Sequence, residues 1–140
     1  MWSHEHTADT HAPAGRVWTL WTDVERWPTW NAGVATIAIE GPFAPGTRFV
    51  MTPPGEEPIA MQLTDVVPGE SFTDVMDAGD FAVTTTHRLE PLPGGGTRIV
   101  YRTEITGPAA PAVGPELGPA ITADFPDVLA ALSARAEQPA

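Results

Sequence analysis

The 140-residue chain has no cysteine, no lysine and a single tyrosine, and its seven cations are all arginines. The lack of cysteine excludes disulfides, thiol nucleophiles and zinc–thiolate sites. The lack of lysine excludes Schiff-base chemistry and a lysine phosphate cradle. Eighteen acidic residues leave a formal charge of −11. That argues against nucleic acid, whose binding draws affinity from cations set against phosphates, and equally against anionic membrane surfaces. The acids are scattered instead of forming runs, which suits solubility better than an interaction tail. No apolar run approaches the roughly 18 residues of a membrane span, so no membrane insertion is expected. MWSHEHTADTHAP at the start lacks the basic and apolar regions of a signal peptide, and a cytoplasmic location is the expectation. The serines, Ser3, Ser71 and Ser133, have no GxSxG setting. Gly94–Gly96 leads from strand to strand, with no helix N-terminus to receive an anion. No feature requires a cofactor.

What is present is aromatic and concentrated. Val17 to Asn31, VWTLWTDVERWPTWN, holds four of the five tryptophans. Val17, Leu20, Trp21 and Val24 recur at helical spacing, with Pro13 suited to the first turn. Asp23 can cap a second short turn before Pro28 ends it, giving a two-helix elbow. At this length one domain, residues 1–140, is expected, burying about 70% of its unfolded surface. The 13 glycines and 16 prolines act as punctuation. Trp2 to His11 alternates as a strand. After the elbow come strands at Gly33–Glu40, Thr47–Thr52, Ile59–Val67, Ser71–Met76, Phe81–Glu90 and Thr97–Thr106, separated by turn-forming clusters. Past Gly107, GPAAPAVGPELGP reads as a flexible connection. A long helix from about Glu116 to Ala136 follows, with a stripe of Leu117, Ile121, Phe125, Val128 and Leu132, and Pro126 inside it to kink or split it. A half-buried antiparallel sheet must cover its apolar face, and this helix is the element available to do so.

That order of elements, with VWTLWTDVERWPTWN, HRLEPLPGGGTRIVYRTEITGP and the C-terminal FPDVLAALSARAE, resembles the SRPBCC superfamily, in particular its polyketide cyclase/dehydrase-like branch. The resemblance implies an α+β helix-grip fold: a seven-stranded curved antiparallel sheet, two short helices after the first strand, and a long C-terminal helix enclosing a cavity. It also implies an apolar small-molecule ligand and places the tryptophan elbow beside the pocket. The superfamily shares a cavity and no catalytic signature.

Alternation assigns Val83, Thr85, His87 and Leu89, and Ile99, Tyr101, Thr103 and Ile105, to inward faces, leaving Arg88, Arg102 and Glu104 outside. Met51, Met61, Phe72 and Met76 add adaptable lining, and Ile121 and Phe125 face it from the helix. Trp18, Trp27 and Trp30 are rim candidates for stacking a flat ligand, and they read equally well as core. His87, Tyr101 and Asp124 are the catalytic candidates: an imidazole to take and return a proton, a phenol to donate to a developing enolate, and a carboxylate as base or orienter. Each has a plain packing or solvation role as the alternative. His4 and His6 alternate on one face and with His87 would make three imidazoles for a metal, but no acidic fourth ligand stands at fixed spacing. The leading expectation is a hydrophobic or aromatic ligand held by a monomer or homodimer. A cyclase, dehydratase or isomerase using His87 and Tyr101, or a protein-interaction module, are the alternatives.

Overall fold

The computed structural model describes residues 1–139, so Ala140 of the expected domain lies outside the described residues. Strand β1 (Trp2–Thr10) leads through Pro13 into helix α1 (Ala14–Thr22) and a 3₁₀ helix (Val24–Thr29). Strands β2 (Thr36–Ile39), β3 (Arg48–Thr52), β4 (Ile59–Val67), β5 (Ser71–Asp77), β6 (Ala82–Pro91) and β7 (Thr97–Thr106) follow, then helices α2 (Ala110–Thr122) and α3 (Phe125–Ala136). The sheet runs β1-β7-β6-β5-β4-β3-β2, and every neighbouring pair is antiparallel. The six later strands form a meander, and β1 closes against β7 from Trp2↔Ile105 to Thr10↔Thr97. This is the helix-grip α+β architecture. Its strands stand where the period-two patterns predict, although β2 is shorter than Gly33–Glu40.

The strand faces follow from side-chain alternation. Val83, Thr85, His87 and Leu89 of β6 are buried, as are Ile99, Tyr101, Thr103 and Ile105 of β7. On the outer face Arg102 lies between Glu104 at 3.2 Å and Glu5 at 4.0 Å, and Arg88 contacts Glu90 at 3.1 Å. Gly96, at φ +83°, brings its turn so close to β1 that a Cβ would stand 2.6 Å from the Thr10 carbonyl oxygen, which requires glycine there.

The C-terminal region corrects the sequence reading. The stretch expected to be a flexible connection is α2, whereas the split expected near Pro126 is present, falling at Ala123 and Asp124 so that Pro126 stands in the first turn of α3. Pro111, Pro115 and Pro119 recur every fourth residue on the solvent face of α2. The carbonyls deprived of an N–H partner therefore face water, which satisfies them. On the opposite face Gly114 and Gly118 are buried against the Trp2 ring, leaving no room for a Cβ.

Two hydrophobic clusters result. The larger gathers α1, the 3₁₀ helix and α3 over Phe49, Leu63, Phe72, Leu89, Ile99 and Tyr101; the smaller packs α2 and Trp2 against Val83 and Ile105. Helix α3 is held to β1 by Glu137, whose carboxylate accepts from the Thr10 hydroxyl at 2.8 Å and the His11 amide at 2.9 Å. The space between the clusters, over the middle of the sheet, is not filled by side chains.

Candidate functional site

That space is a cavity of about 440 Å³. Its floor is the concave face of β5, β6 and β7, one wall is Trp27, Phe49, Phe125 and Val128, and the other is Met76, Val83, Leu117 and Ile121. Met51 and Met61 complete the lining from β3 and β4. Its mouth lies where Asn31 and Gly33 meet Pro53, Pro54, Glu56, Ala120 and Asp124.

The apolar walls surround a compact polar floor. Phe72 and His87 are cross-strand partners, and their rings stack 3.9 Å apart and 5° from parallel. His87 Nδ1 lies 3.2 Å from the Phe72 carbonyl oxygen. A carbonyl only accepts, so Nδ1 carries the proton and Nε2 presents a lone pair. That lone pair faces Asp74 Oδ2 at 3.9 Å. Asp74 is 5% exposed. Burial pushes its carboxyl up to about 7, and burial pushes the His87 imidazole down to about 3 despite the Phe72 contact. Around neutral pH the pair holds a neutral imidazole beside a carboxyl poised between its two forms.

Tyr101 stands edge-on to His87, with ring centroids 4.6 Å apart. Its hydroxyl accepts from Trp21 Nε1 at 3.2 Å, which leaves the phenolic O–H free to donate into the cavity. Burial, and after it the nearby carboxylates of Asp74 and Asp124, raise the Tyr101 pKa, so the phenol stays a donor. Thr85 is hydrogen-bonded to Thr103 at 2.9 Å. Trp27 spends its N–H on the Trp21 carbonyl at 3.0 Å and offers the cavity only hydrocarbon. Asp124 stands at the break between α2 and α3, at the mouth, and its side chain makes no capping bond to α3. Partial burial raises its pKa, and a Cβ on Gly33 would stand 2.6 Å from its Oδ2.

A family model described as polyketide cyclase / dehydrase and lipid transport matches residues 1–137. The chain belongs to that family. Solved structures of like fold include a START superfamily protein from Mycobacterium smegmatis, 16% identical, TM-score 0.77, with 97% of each chain covered. Norcoclaurine synthase from Thalictrum flavum is 19% identical, TM-score 0.73, with 94% of this chain and 84% of that one covered. The di-domain ARO/CYC StfQ of the steffimycin biosynthetic pathway is 17% identical, TM-score 0.74, with 96% of this chain matching 50% of that one. At such identities the likeness is one of fold. No curated protein matches.

Within this polyketide cyclase/dehydrase and lipid transport fold, the catalytic candidates His87, Tyr101 and Asp124 line one cavity, together with Trp27, Met51, Met61, Met76, Val83, Thr85, Ile121 and Phe125. Four expected lining residues stand elsewhere. Phe72 is sealed beneath the His87 ring at 1% exposure, and Thr103 is fully buried behind Thr85. Trp18 packs edge-on to Phe43 at 5.8 Å and closes the core. Trp30 lines a different groove, on the far side of Trp27. His4 and His6 join no metal-holding group with His87 among the described residues; His4 is exposed and stacks on Trp2. Sequence reasoning missed Asp74, although it falls between Phe72 and Met76 on the same alternating face. It also missed Phe49, Asn31 and Gly33, which carry no chemical signal before the elbow is folded over the sheet.

Proposed function

We propose that the chain binds an apolar, ring-containing small molecule bearing an oxygen function, with the rings among Trp27, Phe49, Phe125 and the methionines and the oxygen over Tyr101. One observation carries this reading: a 440 Å³ apolar hollow ends on a phenolic O–H that has no acceptor among the described residues. An unspent donor on an apolar floor selects a carbonyl or hydroxyl oxygen. The methionines, unbranched and polarizable, suit ligands of varied outline. The family description and the fold it shares with START and ARO/CYC proteins agree with such a ligand.

A second reading rests on Asp74 and His87. A carboxyl that titrates near 7 beside an imidazole lone pair can give and take a proton at the ligand, and a donor at Tyr101 can stabilise an enolate oxygen. Cyclisation, dehydration or isomerisation of a carbonyl compound needs those two functions. The test is native mass spectrometry of freshly purified protein, followed by tryptophan-fluorescence titration with aromatic ketones and phenols and mass analysis of the recovered ligand. Saturable one-to-one binding with unchanged ligand supports a carrier. A product mass that disappears in Asp74→Asn while binding persists supports the enzyme. No saturable binding, and no mass released from the purified protein, overturns both.

A further inference from the structure

A second concavity, of about 400 Å³, lies between the outer side of the α1 elbow and the end of α3. Among the described residues its lining includes Arg16, Arg26 and Arg135, three of the seven cations in the chain, against one carboxylate, Asp23. On a molecule of net charge −11, the described residues of this groove carry a formal charge of +2. Three of the four arginines of the sheet are spent on carboxylates, Arg88 on Glu90, Arg98 on Asp9, and Arg102 on Glu5 and Glu104, and the fourth, Arg48 of β3, stands away from this groove. Arg26 reaches Asp23 at 3.4 Å. Arg16 and Arg135 have no carboxylate partner among the described residues.

The same groove collects the unsatisfied donors. Among the described residues, two buried side-chain polar atoms lack a hydrogen-bond partner, Arg16 Nε and Trp30 Nε1, and both belong to residues lining this groove. Trp30 is 8% exposed, and the other core indoles have acceptors, Trp21 on Tyr101 and Trp27 on a backbone carbonyl. Buried donors are paired as a rule, and one left unpaired costs free energy. Both orphans lack an acceptor, and the unpaired guanidinium groups lack an anion.

We propose that this groove binds an oxyanion, and that a phosphoryl group, which matches the charge of +2, is its ligand. The guanidinium forks of Arg16 and Arg135 would hold two of its oxygens; Arg16 Nε and Trp30 Nε1 are sealed just behind the lining and would join the donor set as the guanidinium and the indole turn toward the anion. The acidic surface elsewhere repels an anionic bilayer, so the phosphoryl group of a small soluble molecule is the favoured source. The site is separate from the apolar cavity. The two share only the Trp27–Trp30 wall, with ring centroids 6.4 Å apart.

The probe is sodium phosphate, and the readout is the indole N–H resonances of ¹⁵N-labelled protein, with Trp30 assigned by its loss in Trp30→Phe. Phosphate is expected to shift the Trp30 resonance saturably, while sodium chloride at equal ionic strength does not. Arg16→Gln and Arg135→Gln are each expected to weaken binding about tenfold, as loss of a charge-assisted hydrogen bond implies, while leaving the Trp21 and Trp27 resonances in place. Glycerol phosphate acting like inorganic phosphate identifies a soluble ligand. A response to phosphatidic acid vesicles alone identifies a lipid headgroup as the source. A resonance that none of these moves, or a phosphate shift insensitive to both arginine substitutions, overturns the proposal.

Discussion

Tyr101 links the packing of the core to the chemistry of the cavity. Its oxygen is the acceptor for Trp21, which is fully buried, so Tyr101→Phe strands an indole N–H. The variant is expected to lose about 1–3 kcal/mol, which at this chain length lowers Tm by a few degrees in a thermal melt. Ligands that present an oxygen to the phenol should bind about tenfold more weakly, and their hydrocarbon analogues unchanged. Asp74 and His87 make opposite contributions to the pH dependence of stability. The folded state keeps the Asp74 proton to about pH 7, so stability is fully present below the unfolded value of about 4 and falls as pH rises to 7. The folded His87 resists protonation to about pH 3, so its contribution is present above about 6.5 and is lost as pH falls from there. Between about pH 4 and 6.5 the two slopes cancel. Asp74→Asn removes one of them. The variant should be more stable than wild type by up to about 4 kcal/mol at pH 8, equal to it below pH 4, and newly pH-dependent in between, as urea melts at several pH values will reveal. Asp74 was legible in principle, since strand parity puts it on the lining face, but an acid in a strand ordinarily points to water. Of the four clustered tryptophans one lines the cavity and another the arginine groove, because ring direction depends on how the elbow sits, which spacing along the chain does not encode.

At the scale of elements, the strands were legible and α2 was not, for one reason. Strand alternation is local and is enforced by a sheet that is wet on one side and dry on the other. Helix α2 contradicts its local propensities, since prolines and glycines disfavour helix interiors, and it forms because the prolines face water and the glycines admit Trp2. A helix built this way owes its stability to packing. Its amides are expected to exchange with solvent well before those of α3, where Leu129 and Leu132 are fully buried, and hydrogen-exchange mass spectrometry will order the two. Because Leu117 and Ile121 line the cavity, bound ligand should slow exchange in α2 more than in α3. Gly118→Ala tests the packing itself. A better helix former would enter the helix, yet its Cβ would meet Trp2 ring atoms at 2.4–2.5 Å. Overpacking of about 1–3 kcal/mol exceeds a propensity gain of about 1 kcal/mol, so chemical denaturation should find the variant less stable.

The whole molecule is a sheet with too little helix to cover it completely. Helices α1 and α3 fill one end and α2 the other, and the two hydrophobic clusters stop short of each other. A tightly packed domain of this size would join them. A dry void of 440 Å³ would cost on the order of 10 kcal/mol by extrapolation from small cavities, as much as the whole stability of a typical domain, about 5–15 kcal/mol. The hollow is therefore tolerable because it opens to water at the Asn31–Asp124 mouth and accepts a ligand in exchange. Stability and binding should then trade against each other at one position. Ile121 on α2 projects into the hollow beside the smaller cluster, and Ile121→Phe adds apolar volume where nothing packs. The variant is expected to gain about 0.5–2 kcal/mol in urea melts, as cavity-filling substitutions do, and to lose at least about tenfold in affinity for any cavity ligand, a change of roughly 1.4 kcal/mol. A gain in stability with affinity intact would mean that the ligand sits elsewhere, and a loss of both would mean that α2 is packed more closely over the sheet than a hollow of this volume allows.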